Sequence, residues 1–288
     1  LAVRYTGKPE DRAAADQAYA GAMRLVHERF PEDQDAATLY AEAMMDLRPW
    51  NYWMRDGRPY PGTQDIARAL DAVVARNSEH PGALHLSIHL WEAFQPEKVE
   101  AAADRLLTLA PAAGHLMHMP GHIYQRVGRY EDVIKANELA ILADEDYISQ
   151  CRAQGIYPLG YYPHNIHFLW FGATMGGRSE LAIASARKTV ASIPAEAVKE
   201  VPFLQSFLLV EDYALVRFGK WDEILALPAL RYESLFTRGV RHYARGMAFA
   251  RKGNASSARK ELASLKKIAT DPQLIATPAS MSANMPDA

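Results

Sequence analysis

The histidines of this chain are concentrated in one part of it, at spacings that bring side chains to one face of a helix. Seven of the ten lie between residues 85 and 167. Residues 114–122, GHLMHMPGH, place three of them three and four positions apart, and two further pairs stand four and three apart. Two imidazoles four residues apart on a helix can bind one metal ion. The predicted metal ligands are His85, His89, His115, His118, His122, His164 and His167.

The ligand types indicate which metals to expect. Imidazole with carboxylate suits zinc, copper, iron or nickel, and Cys151 is the only cysteine, so a thiolate-rich zinc site is excluded. Glu92, three residues after His89, is interpreted as a ligand, a general base or a partner that orients an imidazole. Seven histidines exceed the three protein ligands of a usual catalytic ion, so one ion and two ions both stay open. An all-histidine pair favours copper and oxygen chemistry, whereas a histidine and glutamate mixture favours iron or two zinc ions.

The elements that carry these residues are helices. Apolar residues recur at helical spacing throughout, and no convincing alternating strand is present. The predicted helices span residues 11–30, 35–47, 63–76, 81–93, 97–109, 113–127, 131–148, 164–175, 179–192, 203–218, 221–227, 232–252 and 255–269. They predict one domain over residues 1–269.

Three segments interrupt or follow the helical pattern. Residues 48–62 and 149–163 are predicted to be irregular insertions, and the first either packs its tryptophans on the helices or forms a lid. Residues 270–288 are predicted to be an irregular tail. Because the sequence begins at Leu1 and ends without a stop signal, we expect a processed or excised chain, truncated at its tail.

The helix pairs recur at a period of 34 residues. Gly121, Tyr124, Gly128 and Ala140 fall at positions 8, 11, 15 and 27 of such a unit. This pattern of small residues and an aromatic resembles the tetratricopeptide repeat (TPR), over roughly residues 11–269. The stretches HMPGHIY and YYPHNIHF resemble those of a bacterial group of such proteins, for which we know no activity. The resemblance implies an all-α, TPR-like α-solenoid of stacked antiparallel helix pairs with a concave groove.

The resemblance also assigns positions in that groove. In TPRs, positions 2, 5, 9, 12 and 13 of each unit face the ligand. His115, His118 and His122 take positions 2, 5 and 9 of one unit, and the pair at 164 and 167 takes 2 and 5 of the next. His85 and His89 take positions 6 and 10 of their unit, one position away from those that face the ligand. Glu92 and Glu42 take positions 13 and 9 of their units and are predicted to be the catalytic acids.

Composition and motifs exclude several classes of function. The net charge is −2, without a basic run, so nucleic-acid binding is disfavoured. No apolar run approaches the ~20 residues of a membrane span. Nucleotide-binding loops, serine-nucleophile elbows and kinase signatures are absent from the sequence. The compartment stays open between the cytoplasm and export after removal of a signal peptide, and so does the oligomeric state.

Two main hypotheses about function remain. The first is a metal-dependent enzyme, an oxidoreductase before a hydrolase, that uses copper or iron (zinc is the alternative) on a small-molecule or peptide substrate in the groove. The second is a TPR interaction module that binds a peptide or protein there, and a third is metal storage or delivery. Tyr157, Tyr161 and Tyr162 either pack the second insertion or line the groove beside the metal.

Overall fold

The computed structural model describes residues 4–5, 9–155 and 157–276, and these residues form helices and no β-strand. A single isolated β-bridge joins Trp53 and Pro59. The prediction of an all-α fold is therefore confirmed. The chain divides into two compact units, Leu1–Ala140 and Ile141–Ala288.

The first unit consists of helices joined by turns, apart from the longer segment between the second and third helices. They are α1 (Arg12–Arg29), α2 (Gln34–Met45), α3 (Thr63–Arg76), α4 (Pro81–Trp91), α5 (Glu100–Leu109), α6 (Gly114–His118), α7 (Pro120–Val127) and most of α8 (Tyr130–Cys151), with 3-10 turns at Pro9–Asp11 and Pro96–Val99.

Capping residues and proline set the ends of the helices that matter for function. His80 precedes α4, and its Nδ1 accepts a hydrogen bond from the Ala83 N–H at 3.2 Å. Pro120 lacks the N–H that an uninterrupted helix would need, so the predicted helix over 113–127 is divided into α6 and α7. Met119 between them keeps helical angles (φ −51°, ψ −40°), and the chain continues in nearly the same direction. Gly128, at φ +81°, ends α7 in a left-handed conformation that favours glycine.

The core of the first unit is built between consecutive helices. α2 packs against α3, α3 against α4, and α4 against α5. Contacts also join α2 to α4 and α4 to α7, which are not consecutive in the chain. Ile66, Leu70 and Val73 of α3 are buried against Tyr40 and Ala41 of α2. Burial of such side chains contributes about 1.5–3 kcal/mol each.

The first predicted insertion, residues 48–62, packs on this core. Tyr52 is buried, and the Trp53 ring contacts Trp91 and Phe94 with centroids 4.7 and 4.8 Å apart. The Trp53 indole N–H donates to the Leu90 carbonyl oxygen at 2.7 Å. These contacts favour the packing interpretation of the segment over the lid.

The second unit is also a series of paired helices. They are the end of α8, α9 (Tyr162–Met175), α10 (Ser179–Ser192), α11 (Ala195–Glu200), α12 (Val210–Arg217), α13 (Trp221–Ala226), α14 (Leu235–Arg251), α15 (Ala255–Ala269) and α16 (Pro272–Ala276). α9 packs on α10, α10 on α12, and α14 on α15.

Several boundaries in the second unit differ from the sequence-based prediction. The second predicted insertion is helical in part, since α8 continues to Cys151 and Tyr157–Tyr161 forms one π-helical turn. Residues Pro202–Leu209 form a 3-10 helix ahead of α12 in place of one long helix. Within the predicted tail, Pro272–Ala276 is a short helix, and residues 277–288 lie outside the described part of the chain. No helix in the described ranges has the length and apolarity to cross a membrane.

Candidate metal centre

Five of the predicted ligands come together in the first unit. His85 and His89 lie on α4, which ends at Trp91, so Glu92 takes the position that follows the helix. His115 and His118 lie on α6, and His122 lies on α7. Because α4 packs against α7, the imidazoles of α4 face those of α6 and α7.

The first three imidazoles form one group. The Nε2 atoms of His85 and His115 are 3.2 Å apart, and the His85 and His89 ring centroids are 4.8 Å apart. One ring nitrogen from each of His85, His89 and His115 lies within 4.8 Å of the others. These three imidazoles form a group that could hold a metal ion.

The other two imidazoles meet end to end. His118 and His122 are one helical turn apart, and their Nε2 atoms are separated by 2.9 Å. Their rings are nearly perpendicular, with centroids 4.8 Å apart. The His118 side chain is fully buried.

The neighbours of these rings determine where their protons lie. Asn137 Oδ1 is 2.8 Å from His118 Nδ1, and the amide orientation is fixed because Asn137 Nδ2 donates to the Val133 carbonyl. His118 Nδ1 therefore carries the proton and donates it to Asn137. Glu92 Oε2 accepts in the same way from His122 Nδ1 at 2.5 Å. In the neutral tautomers, the Nε2 lone pairs of both rings point at each other.

Two facing lone pairs at this distance repel unless a proton or a metal cation lies between them. Two nitrogens that each lie about 2.0–2.1 Å from one ion are about 2.9 Å apart at a right angle and about 3.4 Å apart at the tetrahedral angle. The observed separations of 2.9 Å between His118 and His122 and 3.2 Å between His85 and His115 fall in this range. Both Nε2 pairs therefore have the geometry of two ligands of one metal ion.

Glu92 serves both groups of imidazoles through hydrogen bonds. Its Oε1 is 3.2 Å from His89 Nδ1, while its Oε2 binds His122. A carboxylate that accepts from Nδ1 orients the ring and makes Nε2 a better metal ligand. Of the three roles predicted for Glu92, the geometry favours the orienting one.

The electrostatics keep the site in its metal-binding form. Burial, with the neighbouring histidines adding to it, lowers the pKa of His85 to about 3 and that of His115 to about 4. Burial alone would raise the pKa of the Glu92 carboxyl, but attraction to His122 and hydrogen bonds from both histidines hold it below its ordinary value. At neutral pH His85 and His115 are therefore neutral imidazoles and Glu92 is an anionic carboxylate, states that favour the binding of a metal cation.

Glu42, the other predicted catalytic acid, belongs to a different ionic group. It lies on α2, 3.8 Å from the Arg4 guanidinium, which also binds Asp46 at 2.7 Å. Burial raises the pKa of Glu42 despite the nearby arginine. The structure gives Glu42 an ion-pair partner, and its catalytic role stays a prediction.

The remaining predicted ligands lie in the second unit, on α9. The His164 ring contacts Phe168, with centroids 4.7 Å apart. His167 lies against Trp170 and Phe207 at 4.9 and 5.4 Å, and burial lowers its pKa to about 4. A metal-binding role for these two histidines stays a prediction from the sequence.

The tyrosines of the second predicted insertion have structural partners. Tyr157 donates its hydroxyl hydrogen to Asp144 at 2.6 Å and stacks on Tyr161. The Tyr162 hydroxyl donates to Glu145 at 2.8 Å. These contacts favour the interpretation that the tyrosines pack the segment.

Three further histidines have structural partners of another kind. His27 stacks on Tyr40, His80 caps α4, and His242 Nδ1 binds Glu261 at 2.6 Å. They provide matched controls for substitutions in the metal centre.

Asn137 is a functional residue that the sequence analysis missed. It is fully buried on α8, one turn from Val133 and close to Ala136 and Ala140 on the same buried face. A lone amide within an apolar helix stripe needs a hydrogen-bond partner, and that is the signal that could have identified it.

No protein-family model and no curated protein sequence matches this chain. Its function is therefore inferred from the residues of the metal centre.

Proposed function

We propose that this protein is a metal-dependent enzyme whose transition metal is bound by imidazoles of the first unit. The ligands are His85, His89, His115, His118 and His122. The observation that carries the proposal is the pair of Nε2 atoms of His118 and His122, 2.9 Å apart. The Nδ1–H groups of these two rings donate hydrogen bonds to Asn137 and Glu92. A cation between these atoms removes the repulsion of their lone pairs.

Copper is the metal we propose. The side chains that converge offer ring nitrogens, and the nearest carboxylate, Glu92, is engaged by two Nδ1 atoms. An all-nitrogen set suits copper, whereas iron sites usually include a carboxylate ligand. Iron would require a Glu92 oxygen to turn from its histidine partner toward the ion, and zinc fits the nitrogen distances as well as copper does.

The proposal includes the TPR-like solenoid and its groove, and membership of the bacterial group with similar histidine stretches. The contacts of α2 with α4 and of α4 with α7, in addition to those between consecutive helices, support stacked helix pairs in the first unit. Such a stack would present the imidazoles of α4, α6 and α7 to a small-molecule or peptide substrate.

The reaction class we propose is oxidation by dioxygen. Side-chain exposures of 13–17% at His89, Glu92 and His122 leave part of the centre accessible. The copper-loaded protein is expected to oxidise ascorbate, which supplies two electrons and two protons while dioxygen is reduced to hydrogen peroxide. Dioxygen consumption above that of the protein-free ultrafiltrate of the same sample indicates turnover. Bound copper without such consumption indicates storage or delivery.

Metal content tests the binding part of the proposal. The wild type, purified without a nickel column and reconstituted with copper, zinc or iron, is analysed by inductively coupled plasma mass spectrometry. The variant His118→Ala/His122→Ala should contain less metal than the wild type while its helical circular dichroism persists. The control His27→Ala/His242→Ala removes two imidazoles elsewhere and should keep the wild-type content. Absence of metal from the reconstituted wild type would contradict the proposal.

A further inference from the structure

The five imidazoles of the first unit do not converge on one point. Ring centroids are 4.8 Å apart for His85 and His89, 5.1 Å for His85 and His115, and 4.8 Å for His118 and His122. Between these groups the centroids are farther apart, at 5.9 Å for His89 and His122 and 6.1 Å for His115 and His118.

A single ion can bind two imidazoles only if their ring centroids are close together. An imidazole that binds through Nε2 at about 2.0–2.1 Å has its ring centroid about 3.1 Å from the ion, so two such rings are about 4.4–5.1 Å apart at angles of 90–109°. The three short separations lie in this range, and the two long ones exceed it. The His89 and His115 centroids, 6.4 Å apart, exceed it as well, so the ligand pair of the first group is His85 with His115, and His89 lies beside that pair.

Each group has an Nε2 pair of its own at ligand spacing. In the first group it is His85 with His115 at 3.2 Å, and in the second it is His118 with His122 at 2.9 Å. Each pair supplies two imidazole ligands to one ion, and His89 is the third imidazole beside the first pair.

Glu92 connects the two groups. One carboxylate oxygen accepts from His89 of the first group, and the other accepts from His122 of the second. Both rings are thereby held with Nε2 toward their own group. The same carboxylate also supplies a negative charge next to both positions, which offsets part of the repulsion between two cations.

We propose that the centre holds two transition metal ions, one bound by His85 and His115 with His89 beside them and one bound by His118 and His122, with Glu92 as the positioning residue that orients His89 and His122. This inference rests on the proposed function and specifies its metal stoichiometry.

Titration of the metal-free full chain with copper(II), and separately with zinc(II), tests the stoichiometry. The wild type should bind two equivalents. His85→Ala/His115→Ala and His118→Ala/His122→Ala should each bind one, with circular dichroism unchanged. One equivalent in the wild type, lost in both double variants, would overturn the two-ion inference and leave the proposed function standing. No binding by the wild type would overturn both.

A variant that keeps the imidazoles tests the role of Glu92 separately. Glu92→Gln should weaken both equivalents by about 10–100-fold, as loss of a partner of ligand histidines usually does. Glu261→Gln is the matched control, because Glu261 also binds a histidine Nδ1, that of His242, outside the centre. Weakening of one equivalent alone, or equal effects of the two variants, would contradict the shared role of Glu92.

Discussion

Asn137 decides which nitrogen of His118 carries the proton, and its replacement by leucine should weaken metal binding. In the wild type the Nδ1–H donates to Asn137 at 2.8 Å, and Nε2 faces His122. Without the amide oxygen as acceptor, the tautomer of His118 with its proton on Nε2 is more stable, because that N–H can donate to His122 Nε2 at 2.9 Å. The metal-free variant should therefore adopt the tautomer that blocks the metal.

The size of the effect follows from the burial of His118, whose side chain is fully buried. Metal binding to Asn137→Leu requires the proton to return to Nδ1, where it has lost its acceptor. An unsatisfied buried donor costs about 1–3 kcal/mol, which corresponds to roughly 5- to 150-fold weaker binding. Asn137→Asp keeps an acceptor at this position and should bind the metal at least as tightly as the wild type.

The measurement is a competition titration of copper between the protein and a chromophoric chelator. Thr189→Val is the matched control, because Thr189 is also fully buried and its hydroxyl donates to the carbonyl of Ser185, four residues earlier, as Asn137 does to Val133. It should bind copper like the wild type. Copper affinity of Asn137→Leu within twofold of the wild type, with intact helical circular dichroism, would refute the tautomer argument.

Three further predictions concern other parts of the chain. Trp53→Ala should lower the free energy of unfolding in urea by about 3 kcal/mol, because the ring packs on Trp91; Trp50→Ala, at a side chain 73% exposed, should change it by less than about 0.5 kcal/mol. Burial raises the pKa of Asp104, but the hydrogen bond from Arg129 more than offsets this and holds the pKa below its ordinary value. The stabilisation that the Asp104 carboxylate contributes is therefore present above about pH 4 and lost on acidification. Asp104→Asn should flatten that limb of the unfolding profile, and an unchanged limb would contradict the assignment. If His164 is a ligand, as the sequence predicts, His164→Ala should weaken copper binding at least tenfold; unchanged affinity would confine the ligands to the first unit.

The helices could be predicted because their signals are local. Thr63–Arg76, Ser179–Ser192 and Ala255–Ala269 begin and end at the residues that the sequence analysis predicted. Ala195–Glu200 was missed because its six residues are too short for a periodic signal, although Pro194 precedes it. The 3-10 helix at Pro202–Leu209 was predicted as α-helix, since apolar spacing does not separate the two types.

The metal centre could be predicted only in part, because two of its features depend on packing between helices. Spacing placed His118 and His122 on one face of a helix, and the repeat register brought α4 beside them. The register assigned His85 and His89 positions one step away from those that face the ligand, yet both lie in the centre, because their contacts depend on how α4 packs against its neighbours. Asn137 and the orienting contacts of Glu92 depend on distances that no sequence spacing specifies.

Anomalous diffraction at the copper edge, from crystals of the reconstituted full chain, would locate the metal directly. We expect peaks about 2.0–2.1 Å from Nε2 of His85 and His115, and from Nε2 of His118 and His122. Peaks only at other histidines, such as His80 or His242, or none in the first unit at full copper loading, would contradict the assignment of these imidazoles as the metal ligands.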